Sequence, residues 1–212
     1  MGYFELYLDS VLAGMAIGLG GCGYLSCENK IVGALLFSVG LLTILGFRWK
    51  LFTGMLCSKT KISELLVCYI GNYSGTAIIS VIFWFAKAFD REKLAVFANF
   101  ATAKLQKPLF STFCSAILCE FCIFVAVIGY KKVHYVLGKY FCVVLGVMVF
   151  VISGFEHSIA DMYYMGLSGA NDLALIGRII IFLAVVTAGN VVGAVILRLF
   201  SEKFPQKLQS SK

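Results

Sequence analysis

The chain has 212 residues, of which 60% are apolar and 14% charged, with a mean hydropathy of +0.92. Average soluble domains carry ~45–50% apolar and ~25% charged residues, which excludes a water-soluble domain of this size, and equally a disordered, collagenous or disulfide-scaffold chain. The formal charge of +7 does not point to nucleic acid, because most basic residues sit in short segments between apolar runs. What remains is an all-α polytopic membrane protein, with residues 1–212 forming a single membrane-embedded domain.

A first apolar run, Phe4 to Cys27, carries Glu5 and Asp9 near its start and no basic stretch, so it reads as a retained span rather than a cleaved signal. The second, Ile31 to Phe47, halts at Arg48-Trp49-Lys50 and resumes at Leu51-Phe52-Thr53-Gly54-Met55. The third extends from about Ile62 to Ala86. Lys87 to Lys107 is polar, with Arg91-Glu92-Lys93 read as a solvated face. Pro108 opens a fourth run, Leu109 to Tyr130, with Glu120 in its middle. The fifth, Val136 to Ile152, breaks at Ser153-Gly154-Phe155-Glu156-His157 and resumes as Ser158 to Met165. The sixth covers about Leu173 to Phe200, followed by a polar tail, 201–212.

Six transmembrane helices are therefore expected, the second and fifth broken. Irregular backbone at membrane depth is tolerated where it lines a cavity or is buried in protein, and intramembrane charges face a cavity or a partner. Two broken spans at matching positions point to a transport site between repeats. Gly46-Phe47 and Gly154-Phe155 stand 108 residues apart, and Gly71-Asn72-Tyr73-Ser74-Gly75 and Gly189-Asn190-Val191-Val192-Gly193 stand 118 apart. Three spans per half force opposite orientations, hence an inverted 3+3 repeat, about 1–86 and 108–200. The glycines of each GNxxG serve helix packing, which leaves the accompanying Asn72 and Asn190 to explain. Nine basic residues (among them Lys59, Lys131, Lys139, Lys203, Lys207 and Lys212) against seven on the other side put both termini and the tail in the cytoplasm.

Leu51-Phe52-Thr53-Gly54, the two GNxxG stretches and Gly154-Phe155-Glu156-His157-Ser158-Ile159-Ala160 together resemble the formate/nitrite transporter family over nearly the whole chain. The resemblance implies an aquaporin-like fold, a homopentamer with one pore per protomer in a bacterial inner (plasma) membrane, and transport of small monovalent anions or their acids: formate, nitrite, hydrosulfide, and in some members acetate or lactate. It implies His157, Thr53 and Asn190 at the pore centre, Phe37 and Leu41 as an apolar constriction on the cytoplasmic side, Phe150 as the constriction on the other side, and Lys104 as a lysine of the outer vestibule. No cofactor or metal is implied. Eight cysteines are scattered through apolar sequence, and the Cys119/Cys122 pair has no second pair at ligand spacing. With one intramembrane histidine and neither HExxH nor GxSxG, an enzyme is not expected.

Three positions depart from the family pattern. Lys50, with Arg48 two before it, stands where an acid is common, and Glu120 and Asp161 stand where Asn is common. These acids and bases suggest a rearranged network around Glu156 and Asn72, with Lys50 or Arg48 pairing with Glu120 behind the pore wall. They also leave open a pore for ammonium or a neutral solute. An ion meets a barrier of ~2.5–3.5 kcal/mol or more at an apolar constriction. Protonation near the pore is therefore an attractive route, with His157 either as proton donor or as a neutral hydrogen-bond partner that orients substrate with Thr53.

Overall fold

In a computed structural model, residues 2–87, 89–169 and 172–203 are described. Among them are nine helices: α1 (Tyr3–Ser26), α2 (Lys30–Phe47), α3 (Phe52–Leu56), α4 (Ile62–Ala86), α5 (Arg91–Lys104), α6 (Leu109–Lys132), α7 (Val136–Ser153), α8 (Ser158–Gly166) and α9 (Leu173–Lys203). Six of them (α1, α2, α4, α6, α7 and α9) are long and apolar enough to cross a bilayer, and α3 and α8 are the short halves that follow the two breaks. Tail residues 204–212, with Lys207 and Lys212 of the charge comparison, lie outside the described residues.

Local chemistry explains the boundaries. Asn29 starts α2 by accepting from the amides of Ile31 and Val32, and Asp90 starts α5 by accepting from Lys93. Pro108, which has no amide hydrogen to leave unsatisfied, opens α6. The stretch 87–107, expected as a polar connection, contains the 14-residue helix α5. Phe97, Ala101 and Lys104 form its buried stripe at helical spacing, while Arg91, Glu92 and Lys93 are exposed.

The two halves correspond at one register through their first two spans and at another, 118, in the third. Adding 106 to the bounds of α1 and α2 gives those of α6 and α7. Each broken span ends the same way: Arg48 and Gly154 take left-handed conformations (φ 62° and 67°), and the next amides, Trp49 and Phe155, close onto the carbonyls of Ile44 and Phe150 at 3.0 Å. The register at the breaks is therefore 106 rather than the 108 suggested by matching Gly46-Phe47 to Gly154-Phe155. Arg48 aligns with Gly154 and Lys50 with Glu156, while Gly46 has no special backbone role.

Helix packing repeats too. A Cβ on Gly71 would sit 2.9 Å from the Tyr7 carbonyl oxygen, and one on Gly75 would collide with that of Val11. In the second half, a Cβ on Gly189 would sit 2.6 Å from the Phe113 carbonyl oxygen and one on Gly193 2.9 Å from that of Ile117. Small residues here let α4 pack on α1, and α9 on α6, backbone to backbone. Because three crossings separate them, corresponding helices run in opposite directions. Below, the face bearing the start of α1 is called the terminal face.

Candidate functional site

The breaks free backbone groups at membrane depth, and one asparagine per half satisfies them. Asn72 Oδ1 accepts from the Phe52 amide that begins α3 (2.8 Å), while its Nδ2 donates to the carbonyls of Ser10 (2.7 Å) and Lys50 (2.9 Å). Asn190 Oδ1 accepts from the Ser158 amide that begins α8 (2.9 Å), while its Nδ2 donates to the carbonyls of Ala116 (2.9 Å) and Glu156 (3.2 Å). Each partner in the second set lies 106 residues after its counterpart. Asn190, expected at the pore centre, and Asn72, expected in the supporting network, thus do the same job: each ties a half-helix to the first helix of its own repeat. Both are fully buried, and neither borders the central space described below.

The residues before the half-helices differ. Leu51 precedes α3 and His157 precedes α8. His157 Nδ1 accepts from the Ala160 amide (3.1 Å), and Nε2 lies 2.9 Å from Thr53 Oγ1. An Nδ1 that accepts carries no hydrogen, so Nε2–H is the donor to Thr53. A second proton on Nδ1 would point at the Ala160 N–H. His157, Thr53 and the two half-helix starts thereby meet in the interior; His157 is 1% exposed and Thr53 fully buried.

The His157 ring stacks on Phe150 (centroids 5.6 Å apart, 23°), and Phe37 meets Phe150 edge-on (5.6 Å, 89°). Ile17, Phe37, Leu41, Leu51, Phe150 and His157 border a central space that is too constricted to seat a water molecule. The ring of His157 is its one polar side chain. Phe37, expected beside Leu41 on the terminal-face side, pairs instead with Phe150, one turn of α2 away from Leu41. The residue that shares Leu41's level is Leu51, which borders both this space and a larger cavity of about 700 Å³ opening on the terminal face.

The charged residues also sort differently from expectation. Lys104 Nζ pairs with Glu156 Oε2 and lies 2.9 Å from Asp161 Oδ1. Lys107 Nζ lies 2.5 Å from Glu156 Oε1 and donates to the Gly154 carbonyl (3.2 Å). Two lysines and two carboxylates thus balance. Lys104, expected in the outer vestibule, is nearly buried, with a side-chain exposure of 9%, whereas that of Lys107 is 40%. Burial opposes the charge on Lys104, but the carboxylates of Asp161 and Glu156 outweigh it and hold its ammonium above the ordinary lysine range. The cluster clamps the 154–157 segment and with it the position of His157.

Glu120 is not paired with Lys50 or Arg48 among the described residues. Its Oε1 accepts from Cys57 Sγ at 3.5 Å and its Oε2 has no hydrogen-bond partner. It is fully buried between α6, α3 and α9, against Gly193. Arg48 and Lys50 line the terminal-face cavity instead. The reason is geometric. Both sit at the terminal-face end of α2, whereas Glu120 lies mid-span at the position that Gly14 occupies in the first repeat.

Sequence reasoning missed Leu51, Lys107 and Cys57. Leu51 was recoverable by aligning the breaks at 106, which sets it opposite His157. Lys107, three residues after Lys104, sits in the turn that follows α5 and had no signal of its own.

Six spanning helices, two broken toward a common apolar centre, define an integral membrane protein of the channel class. A family model described as "Formate/nitrite transporter" matches residues 1–201. The chain belongs to the formate/nitrite transporter family, a family of membrane channels and not of enzymes. Formate channel FocA of Haemophilus influenzae is 28% identical over 91% of this chain and 84% of its own length. Formate channel FocA of Escherichia coli K12 is 30% identical over 63% of this chain and 52% of its own length. Two solved structures share the fold. A pentameric formate channel with formate bound superposes with a TM-score of 0.83 at 24% identity, covering 95% of this chain and 96% of that one. An FNT family ion channel gives 0.80 at 21% identity, covering 95% and 91%.

Proposed function

We propose that each chain forms a gated pore for small monovalent anions of the formate, nitrite and hydrosulfide class, crossing as their neutral acids, within a homopentamer of a bacterial inner (plasma) membrane with both termini cytoplasmic. The observation that carries this reading is His157, hydrogen-bonded to Thr53 and bordering an otherwise apolar space closed toward one face by Phe37 and Phe150 and toward the other by Leu41 and Leu51. A bare ion crossing such a space forfeits hydration worth at least the ~2.5–3.5 kcal/mol charged to an ionised side chain at mid-bilayer. The neutral acid avoids that loss and finds one hydrogen-bonding station on the way.

The tautomer favours one role for His157. With Nδ1 engaged by the Ala160 amide, the ring offers a neutral Nε2–H. Giving that proton away would leave an imidazolate, so His157 acts as a hydrogen-bond donor that orients the acid with Thr53. The proton that neutralises the anion comes from hydronium of the external solution, which leaves only water behind. Lys107, half-exposed beside Glu156, is suited to draw the anion in. The ammonium or neutral-solute reading rested on Glu120, Asp161 and Lys50. None of them borders the central space, and Asp161 is bound to Lys104.

Stopped-flow uptake into proteoliposomes tests this. Formate, nitrite and hydrosulfide should enter, faster as the external pH falls, and His157→Phe should abolish entry while leaving the assembled mass in mild detergent unchanged. Ammonium entry with no formate entry, or formate entry unchanged in His157→Phe, overturns it. A monomeric or trimeric mass in mild detergent overturns the pentamer.

A further inference from the structure

We infer that the terminal-face cavity is a second anion site, separate from the pore centre, that takes a small multiply charged oxyanion such as inorganic phosphate. The cavity, about 700 Å³, is lined by Arg48, Lys50, Lys131 and Lys139 with Glu64 as the one carboxylate. None of the four cations is within ion-pair distance of a carboxylate among the described residues.

The internal repeat shows that this charge is particular to one side. Lys50 aligns with Glu156 and Arg48 with Gly154. At the break in α7 and α8 two lysines are neutralised by Glu156 and Asp161. At the break between α2 and α3 the counterpart of Glu156 is Lys50, that of Asp161 is the uncharged Met55 and that of Gly154 is Arg48, and α6 and α7 add Lys131 and Lys139. Arg48 holds a left-handed backbone (φ 62°) where its counterpart is a glycine. Like charges gathered around one cavity repel, and an anion carrying more than one charge relieves that repulsion better than a monovalent one. The cavity is roomy enough for a hydrated oxyanion. Its floor is not passable to one: Leu41 and Leu51 separate it from a space that seats no water. A dianion therefore binds at this mouth and does not cross.

Trp49 lines the same cavity, stacked on Phe47 (centroids 5.2 Å, 19°), and the only other tryptophan is Trp84. In the detergent-solubilised assembly carrying Trp84→Phe, titration with sodium phosphate at constant ionic strength, with chloride as the balancing salt, should change Trp49 emission along a saturating curve. Lys50→Glu and Lys139→Glu should each weaken half-saturation about ten-fold or more, which corresponds to about 1.4 kcal/mol. His157→Phe should leave it unchanged. No saturating change, an equal change with chloride alone, or half-saturation unmoved by both charge reversals overturns the site. Loss of the response in His157→Phe places phosphate in the pore and overturns it as a separate site. The measurement needs no transport, so it stands or falls apart from the proposed conduction.

Discussion

Glu120 offers a direct test of how charge is arranged inside this membrane protein. Its carboxyl is fully buried, one oxygen accepts a long bond from a thiol, and the other accepts nothing. An unsatisfied buried polar atom costs ~1–3 kcal/mol, and a weak bond from sulfur returns at most about 1 kcal/mol. Glu120→Met keeps the length of the side chain and removes both oxygens. It should leave the assembly as stable as the parent or up to about 2 kcal/mol more stable, since the orphan oxygen disappears and little is lost with Cys57. Had Glu120 been one half of a buried ion pair with Lys50 or Arg48, removing it would instead cost ~3–5 kcal/mol. Thermal and denaturant unfolding in detergent separate the two cases. A loss of that size in Glu120→Gln, recovered by adding Lys50→Met or Arg48→Met, would refute the reasoning and restore the pairing that the sequence suggested.

Other perturbations probe the same architecture. Asn72→Ala and Asn190→Ala delete the same three corresponding hydrogen bonds, and Asn72→Ala also a weak one from the Cys68 thiol, so each should destabilise by roughly 2–4 kcal/mol and by similar amounts; a large inequality in unfolding would contradict the repeat. Arg48→Gly relieves a left-handed backbone and should stabilise by about 1 kcal/mol, whereas Gly154→Ala introduces the same strain and should do the reverse, both read from denaturant midpoints. Lys104→Met leaves Asp161 buried without its cation and should cost ~3–5 kcal/mol, much of it recovered in the double variant with Asp161→Asn. Because its carboxylate partners hold Lys104 above the ordinary lysine range, its stabilisation is complete below ~10.4 and is lost as pH rises through the raised value. Alkaline unfolding should therefore shift to higher pH in Lys104→Arg, provided that the variant matches the parent at neutral pH.

The spans were legible because membrane depth imposes long apolar runs and punishes interruptions, so Arg48–Lys50 and Ser153–His157 stood out as breaks. The meeting of Thr53 with His157 followed from the resemblance, and the geometry adds its direction: Nε2 toward Thr53, Nδ1 toward a backbone amide. Charge pairing was not legible, since it depends on which end of a helix a residue occupies and on a helix, α5, whose buried stripe is too short to stand out among polar residues. A reading along the chain set Lys50 and Arg48 near Glu120 because all three adjoin the broken spans. In three dimensions Lys104 and Lys107 reach the acids at the second break first.

The repeat explains why so much of the fold and so little of the chemistry is shared between halves. Where backbone must be satisfied or helices must touch, the halves agree: Asn72 with Asn190, Gly71 with Gly189, and the turns after α2 and α7. Where a side chain faces the pore or its mouths, they part. Leu51 stands against His157, and Lys50 against Glu156. Those differences make the interior asymmetric, with its one imidazole contributed by the second half and hydrogen-bonded to Thr53 of the first. A variant that restored symmetry there, His157→Leu, should keep the fold, because Asn190 still holds the Ser158 amide and the imidazole adds one cap, on the Ala160 amide. Its assembly should survive detergent with the parent's mass and unfold within about 1–2 kcal/mol of it, which is the cost of one lost cap, while formate uptake disappears. If His157→Leu failed to assemble, the imidazole would be structural, and the division between shared scaffold and unshared chemistry would fail with it.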